Sequence, residues 1–149
     1  MKNDPYYDKF IIKKYKYWVL CLHEKQFPYI GRCYAWCNRE NAETVVDMTK
    51  DESIELNRVI LPEWNRAVRK LFSHDTTNFS IMCNETRHLH AHFIPRYKMP
   101  RIVYDLKFVD PDFSGNYAPY PQPKLPLDFL LRIKRDICKA LDDSHLNKT

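Results

Sequence analysis

Glycine is scarce in this chain, with two residues among 149. Neither GxGxxG nor a Walker-type GxxxxGK run occurs, so a dinucleotide fingerprint and a P-loop are both excluded. No apolar run approaches the ~20 residues of a membrane span. The N-terminal stretch is polar and has no apolar segment of the secretory type, so no leader is expected. There is no CxxC pair. The cysteines number five, an odd count, and Cys33 and Cys37 have no second pair to answer them. The expectation is a cytosolic protein whose reduced thiols act as small core hydrophobes. Charge of one sign is not blocked together either. The net charge is +5, and its densest stretch, Lys9 to Lys16, reads as a solvated face rather than a nucleic-acid arm. Neither a nucleic acid polymer nor a membrane is expected as a partner, and no internal repeat is present.

What the chain does contain is apolar and aromatic material, 44% and 14% of residues, with 29% charged. That composition suits a globular domain with a core of its own. One domain over 1–149 is expected, with its centre at about 17–97 and a proline-rich tail and helix at 98–141.

Residues 1–14 read as a short helix at most. Tyr15–Leu22 and Arg32–Cys37 are rich in strand formers and should pair antiparallel across a connection carrying Pro28 and Gly31. Thr49 and Glu52 fit a capping box that opens a helix. Ile54, Leu61, Trp64, Val68 and Leu71 recur at helical spacing and read as core packing, with Pro62 expected to kink or split the helix. Asn78–Met82 and Arg87–Ile94 are two further strands with a turn at 84–86. Pro111, Pro119, Pro121, Pro123 and Pro126 punctuate an irregular segment. Leu127, Leu130, Ile133, Ile137 and Leu141 then make an amphipathic helix. The fold class is α+β with a mostly antiparallel sheet.

Residues 87–97 carry the most information. His88, His90 and His92 are spaced by two, so on a strand they share one face while Leu89, Ala91 and Phe93 face a core. By chance, two further histidines at those places occur on the order of once in a thousand for a given anchor. Three imidazoles on one face need polar partners that a core lacks. His23, His74 and His145, occurring singly, read as satisfied core residues.

Two chemistries suit such a face. Neutral imidazole is a nucleophile near pH 7 and can form a phosphoramidate that water later cleaves, with its neighbours donating to phosphoryl oxygens and the leaving group. Imidazole is also a zinc ligand. The first and third histidines lie about 13 Å apart along a strand, so zinc needs a distant ligand such as His23, Cys33 or a carboxylate.

The run His88-Leu89-His90-Ala91-His92-Phe93-Ile94 resembles the histidine triad pattern H-φ-H-φ-H-φ-φ, with alanine as one φ. Pro95-Arg96-Tyr97 is similar to the extension of diadenosine-polyphosphate hydrolase-like members. Tyr29-Ile30-Gly31-Arg32-Cys33 followed by Asp47-Met48-Thr49 resembles their upstream half. Phe108, Asp110 and Asn116-Tyr117-Ala118-Pro119-Tyr120 look like the tail of one subset.

The resemblance, over roughly 17–141, implies an enzyme that hydrolyses or transfers nucleoside monophosphate groups from dinucleoside polyphosphates or nucleoside phosphoramidates. It implies that His90 attacks the α-phosphate and carries the nucleotidyl group. His92 then contacts phosphate or leaving group, and His88 supports His90 in part through its carbonyl. It implies an AMP or GMP moiety as ligand, a homodimer, and no required cofactor, while a divalent cation can accompany a polyphosphate. Asn84 is its phosphate-side candidate, and Arg96 is a further substrate-binding candidate as the family's tail arginine, the alternative being a solvated charge. There are two departures. Arg32 stands where animal members often carry a fourth histidine; it can clamp phosphate but cannot donate a proton at neutral pH. Glu85 stands where relatives have Ser or Thr, and a carboxylate beside an anionic substrate must point away or be paired, Arg87 being the nearest cation in sequence. A zinc-dependent hydrolase using two of the triad histidines, and a nucleotide-binding module with little turnover, remain the alternatives.

Overall fold

The structure is a computed structural model that describes residues 5–117 and 123–146, with side chains for 7–117 and 123–143. Ala118–Tyr120 of the tail motif, Pro121 and the His145 side chain lie outside the described residues. A short helix, α1 (Pro5–Asp8), leads into β1 (Ile11–Lys14), β2 (Trp18–Leu22) and β3 (Cys33–Cys37). Then come α2 (Lys50–Glu55), a π turn over Leu56–Ile60 and α3 (Leu61–Phe72). β4 (Thr76–Ser80), β5 (His90–Arg96), a hairpin of β6 (Arg101–Val103) and β7 (Leu106–Phe108), and α4 (Leu127–Leu146) complete the order. The five-stranded sheet runs β1-β2-β3-β5-β4 with every neighbour antiparallel. The architecture is α+β, as expected.

Pleat alternation divides the sheet into two faces. Trp18, Leu20, Leu22, Cys33, Ala35, Cys37, Ala91 and Phe93 are buried in the core, where Trp64, Val68 and Phe72 of α3 and Ile133 and Ile137 of α4 meet them. Leu89, Ala91 and Phe93 thus point into the core as the alternation predicts. The other face carries Tyr34, Trp36, His90 and His92. All five cysteines are free thiols, and four of them are buried.

The central helix differs from the expected pattern. Thr49 and Glu52 do form the capping box, but Ile54 is 49% exposed. Glu52, Leu56, Ile60, Trp64, Val68 and Phe72 are buried at a repeat of four, with Glu63 and Ala67 buried beside them. A regular helix would carry such a repeat off its face, because four residues exceed one turn of 3.6. The π turn takes up the excess. It also precedes Pro62, which stands in the first turn of α3, so the expected division into two helices takes the form of a π turn between α2 and α3. The bond lost at the proline falls where the ladder already runs i to i−5, as in Leu61 N–H to Leu56 C=O.

Three strands were not expected from the sequence. β1 is an edge strand with a register shift between Ile11 and Lys13. The β6–β7 hairpin turns at Tyr104 and Asp105, both at positive φ, without the glycine that usually signals such a turn. Pro95 lies inside β5, past the last β3 pairing at Phe93, where the strand has β4 on one side only.

Gly31 is one of the positions that needs glycine. Its φ is +92°, and a Cβ there would lie 2.7 Å from Val68 Cγ1 and 3.0 Å from Phe72 Cδ2. The Trp64 indole also donates to its carbonyl at 3.1 Å. Gly31→Ala is expected to cost about 2–3 kcal/mol, read as a lower urea midpoint; an unchanged midpoint would mean that α3 moves aside freely.

Candidate active site

β5 begins at His90, not at Arg87, because residues 81–89 form a loop that leaves the sheet after β4. Only His90 and His92 are therefore strand residues, yet the three imidazoles still gather on one side. Trp36 lies opposite His90 and Tyr34 opposite His92 in the β3–β5 register. The His88 ring stacks on Trp36 at 4.1 Å with planes 10° apart, and His90 lies 5.6 Å from the same indole. His90 and His92 meet edge to face at 4.9 Å.

Hydrogen bonds fix two of the rings. His88 donates Nε2–H to the Cys37 carbonyl at 2.8 Å. His90 donates Nδ1–H to the His88 carbonyl at 2.6 Å. The carbonyls can only accept, so each bond sets a tautomer. The peptide plane between residues 88 and 89 is held from its other side, where Leu89 N–H bonds the Ala42 carbonyl at 2.8 Å. In the neutral ring of His90 the lone pair is thus on Nε2, which has no partner among the described residues and is open to the cleft. Burial lowers the pKa of His88. It lowers that of His92 to about 4, and the charges of His90 and Arg32 add to it.

His90 and His92 floor a cleft of about 480 Å³, while His88 lies outside its lining behind Trp36. His23, Tyr34 and Trp36 line it from the first strands, Tyr7 from α1, and Met82, Asn84 and Glu85 from the loop. Asn84 and Glu85 are exposed. Arg87 pairs not with Glu85 but with Glu43, at 3.8 Å on the surface; among the described residues Glu85 has no cation. Arg32 stands beside His92 and His23, whose pKa values its charge lowers. Its guanidinium lies over the Tyr117 ring at 5.8 Å and makes no ion pair among the described residues.

Arg96 is not brought to the cleft. It is 1% exposed, and all of its donors are taken within the chain. It pairs with Asp110 at 2.6 and 3.1 Å, and bonds Asn78, Gly115 and the Asp112 carbonyl. Its expected substrate contact gives way to a structural one. His23 departs from expectation in the other direction: it lines the cleft. Its signal was available, since His23 immediately follows the apolar end of β2, but only the strand register reveals that it faces His92. Among the described residues, no group of three or more His, Cys, Asp or Glu is placed to share a metal ion. No helix of the described residues is long and apolar enough to cross a membrane.

One consequence concerns acid stability. His74 is buried, bonded through Nε2 to Asn65 and Thr77, and its pKa is lowered to about 4 by burial. His92 is lowered similarly. Between pH 6.5 and 4 the unfolded chain binds protons at these two sites that the folded chain refuses. Stability therefore falls as pH falls through that window, by at most about 1.4 kcal/mol per unit for each ring. Urea midpoints measured from pH 7 to 4.5 should decline, and His74→Asn should flatten the decline; a slope unaltered by that substitution would assign the acid sensitivity elsewhere.

No protein-family model matches the chain, and no curated protein matches it in sequence. Solved structures do match. A histidine triad protein from Marinobacter aquaeolei superposes with a TM-score of 0.68 at 14% identity, covering 95% of this chain and 96% of that one. A zinc-bound histidine triad family protein from Mycobacterium smegmatis gives 0.63 at 14% identity, covering 93% and 88%. Plasmodium falciparum diadenosine triphosphate hydrolase, solved with cyclomarin A, gives 0.56 at 15% identity, covering 95% and 78%. The chain has the histidine triad fold.

Proposed function

We propose that this protein is a nucleotide hydrolase or nucleotidyl transferase acting through a covalent nucleotidyl-His90 intermediate. The observation that carries the reading is the 2.6 Å bond from His90 Nδ1–H to the His88 carbonyl. It places the free electron pair on Nε2, beside the cleft, and gives the imidazolium that forms on attack an acceptor already in place. In this reading Nε2 bonds to the α-phosphorus as the bond to the leaving group breaks. His92, held neutral by burial, serves as a hydrogen-bond donor to phosphoryl or leaving-group oxygen; a polyphosphate leaves as its anion, and an amine leaves with a proton taken from solvent water. Asn84 contacts phosphate from the loop, and Arg32 supplies a fixed positive charge behind His92. Arg96 holds the tail segment and touches no substrate. Water completes the cycle by cleaving the phosphoramidate.

The substrate carries an AMP or GMP moiety, joined to a polyphosphate or to an amine. The triad run and the fold shared with a diadenosine triphosphate hydrolase support this class. A cytosolic homodimer is the setting the resemblance implies, and light scattering reads the assembly. The test is intact-mass spectrometry after incubation with a panel of dinucleoside polyphosphates and AMP phosphoramidates. The expected result is one added nucleotidyl group, stable to base and lost in acid. Binding of AMP with no adduct and no turnover from any donor would overturn the enzymatic reading.

A further inference from the structure

The end of β2 carries an imidazole that the triad does not include. His23 follows Leu22, and its N–H bonds the Arg32 carbonyl at 3.1 Å, so the β2–β3 pairing runs one step past its last register pair, Leu22 with Cys33. Alternation then places His23 on the face of Cys21 and Arg32 on the face of Tyr34. The His23 ring comes within 6.0 Å of the His92 ring and stands edge-on to Tyr34 at 5.9 Å. It lines the cleft together with His90 and His92.

Its chemical form is fixed from the backbone. Nδ1 accepts the Lys25 N–H at 3.0 Å, so in the neutral ring the proton sits on Nε2. Burial holds the ring's pKa well below its ordinary value, and the charges of Arg32, His92, Lys25 and His90 add to it. At neutral pH the ring is therefore an N–H donor of fixed tautomer. Among the described residues nothing accepts the Nε2–H, and that atom is not sealed in.

We propose that His23 is a substrate-contacting residue whose Nε2–H donates to an oxygen of the phosphoryl group presented to His90. The geometry is one of opposite sides. Trp36 and His88 close the His90–His92 row at one end, and His23 and Arg32 close it at the other. A phosphoryl group over His90 Nε2 and His92 then meets a third imidazole, and a second donor, from the end of β2. The proposal rests on the nucleotidyl-transfer reading of the cleft, but it concerns a residue outside the triad.

The test separates a donor from a packing residue. His23→Gln keeps an N–H at similar reach, and His23→Leu fills the space without one. The Leu variant should lose about 30-fold in kcat/KM, and the Gln variant should stay within about 3-fold of wild type. Nitrogen-15 NMR of the wild type should show His23 as the Nε2–H tautomer at pH 7. Its Nε2 resonance should shift with AMP and not with adenosine, which has no phosphoryl group. Equal losses in the Gln and Leu variants, or AMP shifts at His90 and His92 that leave His23 unmoved, would refute the proposal while leaving the nucleotide reading intact. If neither AMP nor a dinucleoside polyphosphate perturbs any cleft histidine, the nucleotide reading itself fails and takes the proposal with it.

Discussion

His90→Ala should abolish the nucleotidyl adduct and lower turnover by on the order of 10⁴-fold or more. The expectation is this large because no other ring in the cleft can take over the attack. His88 commits Nε2–H to the Cys37 carbonyl and its ring face to Trp36. His92 has Nδ1 buried without a partner, so an imidazolium formed there would have no acceptor for its second proton. Among the described residues, only His90 combines a free Nε2 with an Nδ1–H already bonded to a carbonyl. The His88 side chain should matter much less than its position in the chain, since His90 bonds the backbone of residue 88, which His88→Ala retains. His90→Gly supplied with free imidazole should recover part of the turnover without forming a protein adduct. Single-turnover kinetics with mass detection reads all of these. An adduct that persists in the His90 variant would move the nucleophile to another residue.

The sheet and the triad were largely legible in the sequence because they depend on period two and on residue type. Leu89, Ala91 and Phe93 went inward and the strands around Cys33–Cys37 paired as the pattern required. What could not be read came from long-range geometry. His23 looked like an isolated core histidine until the β2–β3 register set it across from Arg32. Ile54 looked like part of the core stripe until a π turn shifted the buried face by part of a turn. The hairpin at Tyr104–Asp105 was hidden because two non-glycine residues adopt positive φ. Glu85 looked pairable with Arg87, but the loop sends that arginine to Glu43. Arg96 is the sharpest case, since its sequence context beside the triad suggested a ligand contact and its surroundings give it a different task.

Arg96→Met is expected to cost about 3–5 kcal/mol of stability, or very roughly 10 °C in Tm for a domain of this size. The arginine and the Asp110 side chain are 1% and 0% exposed. Removing the guanidinium leaves a carboxylate buried without its counter-ion, which costs far more than the pair itself contributes. It also frees the Asn78 side chain and the carbonyls of Asp112 and Gly115. Lysine should not rescue it, because one ammonium cannot reproduce a planar fork that reaches both carboxylate oxygens and three further acceptors. Arg96→Met combined with Asp110→Asn should recover part of the loss, so a double-mutant cycle should report a coupling of about 2 kcal/mol or more. The functional consequence is indirect. Arg96 is four residues beyond His92, about 13 Å along the strand, and what it fastens is the segment bearing Tyr117. That tyrosine bonds Ser80 at 2.7 Å and lies against Arg32, behind His92. At a temperature where the variant is folded, the His90 adduct should still form. A variant with unchanged Tm and a raised KM would instead return Arg96 to the substrate and require the segment at 110–117 to open on binding.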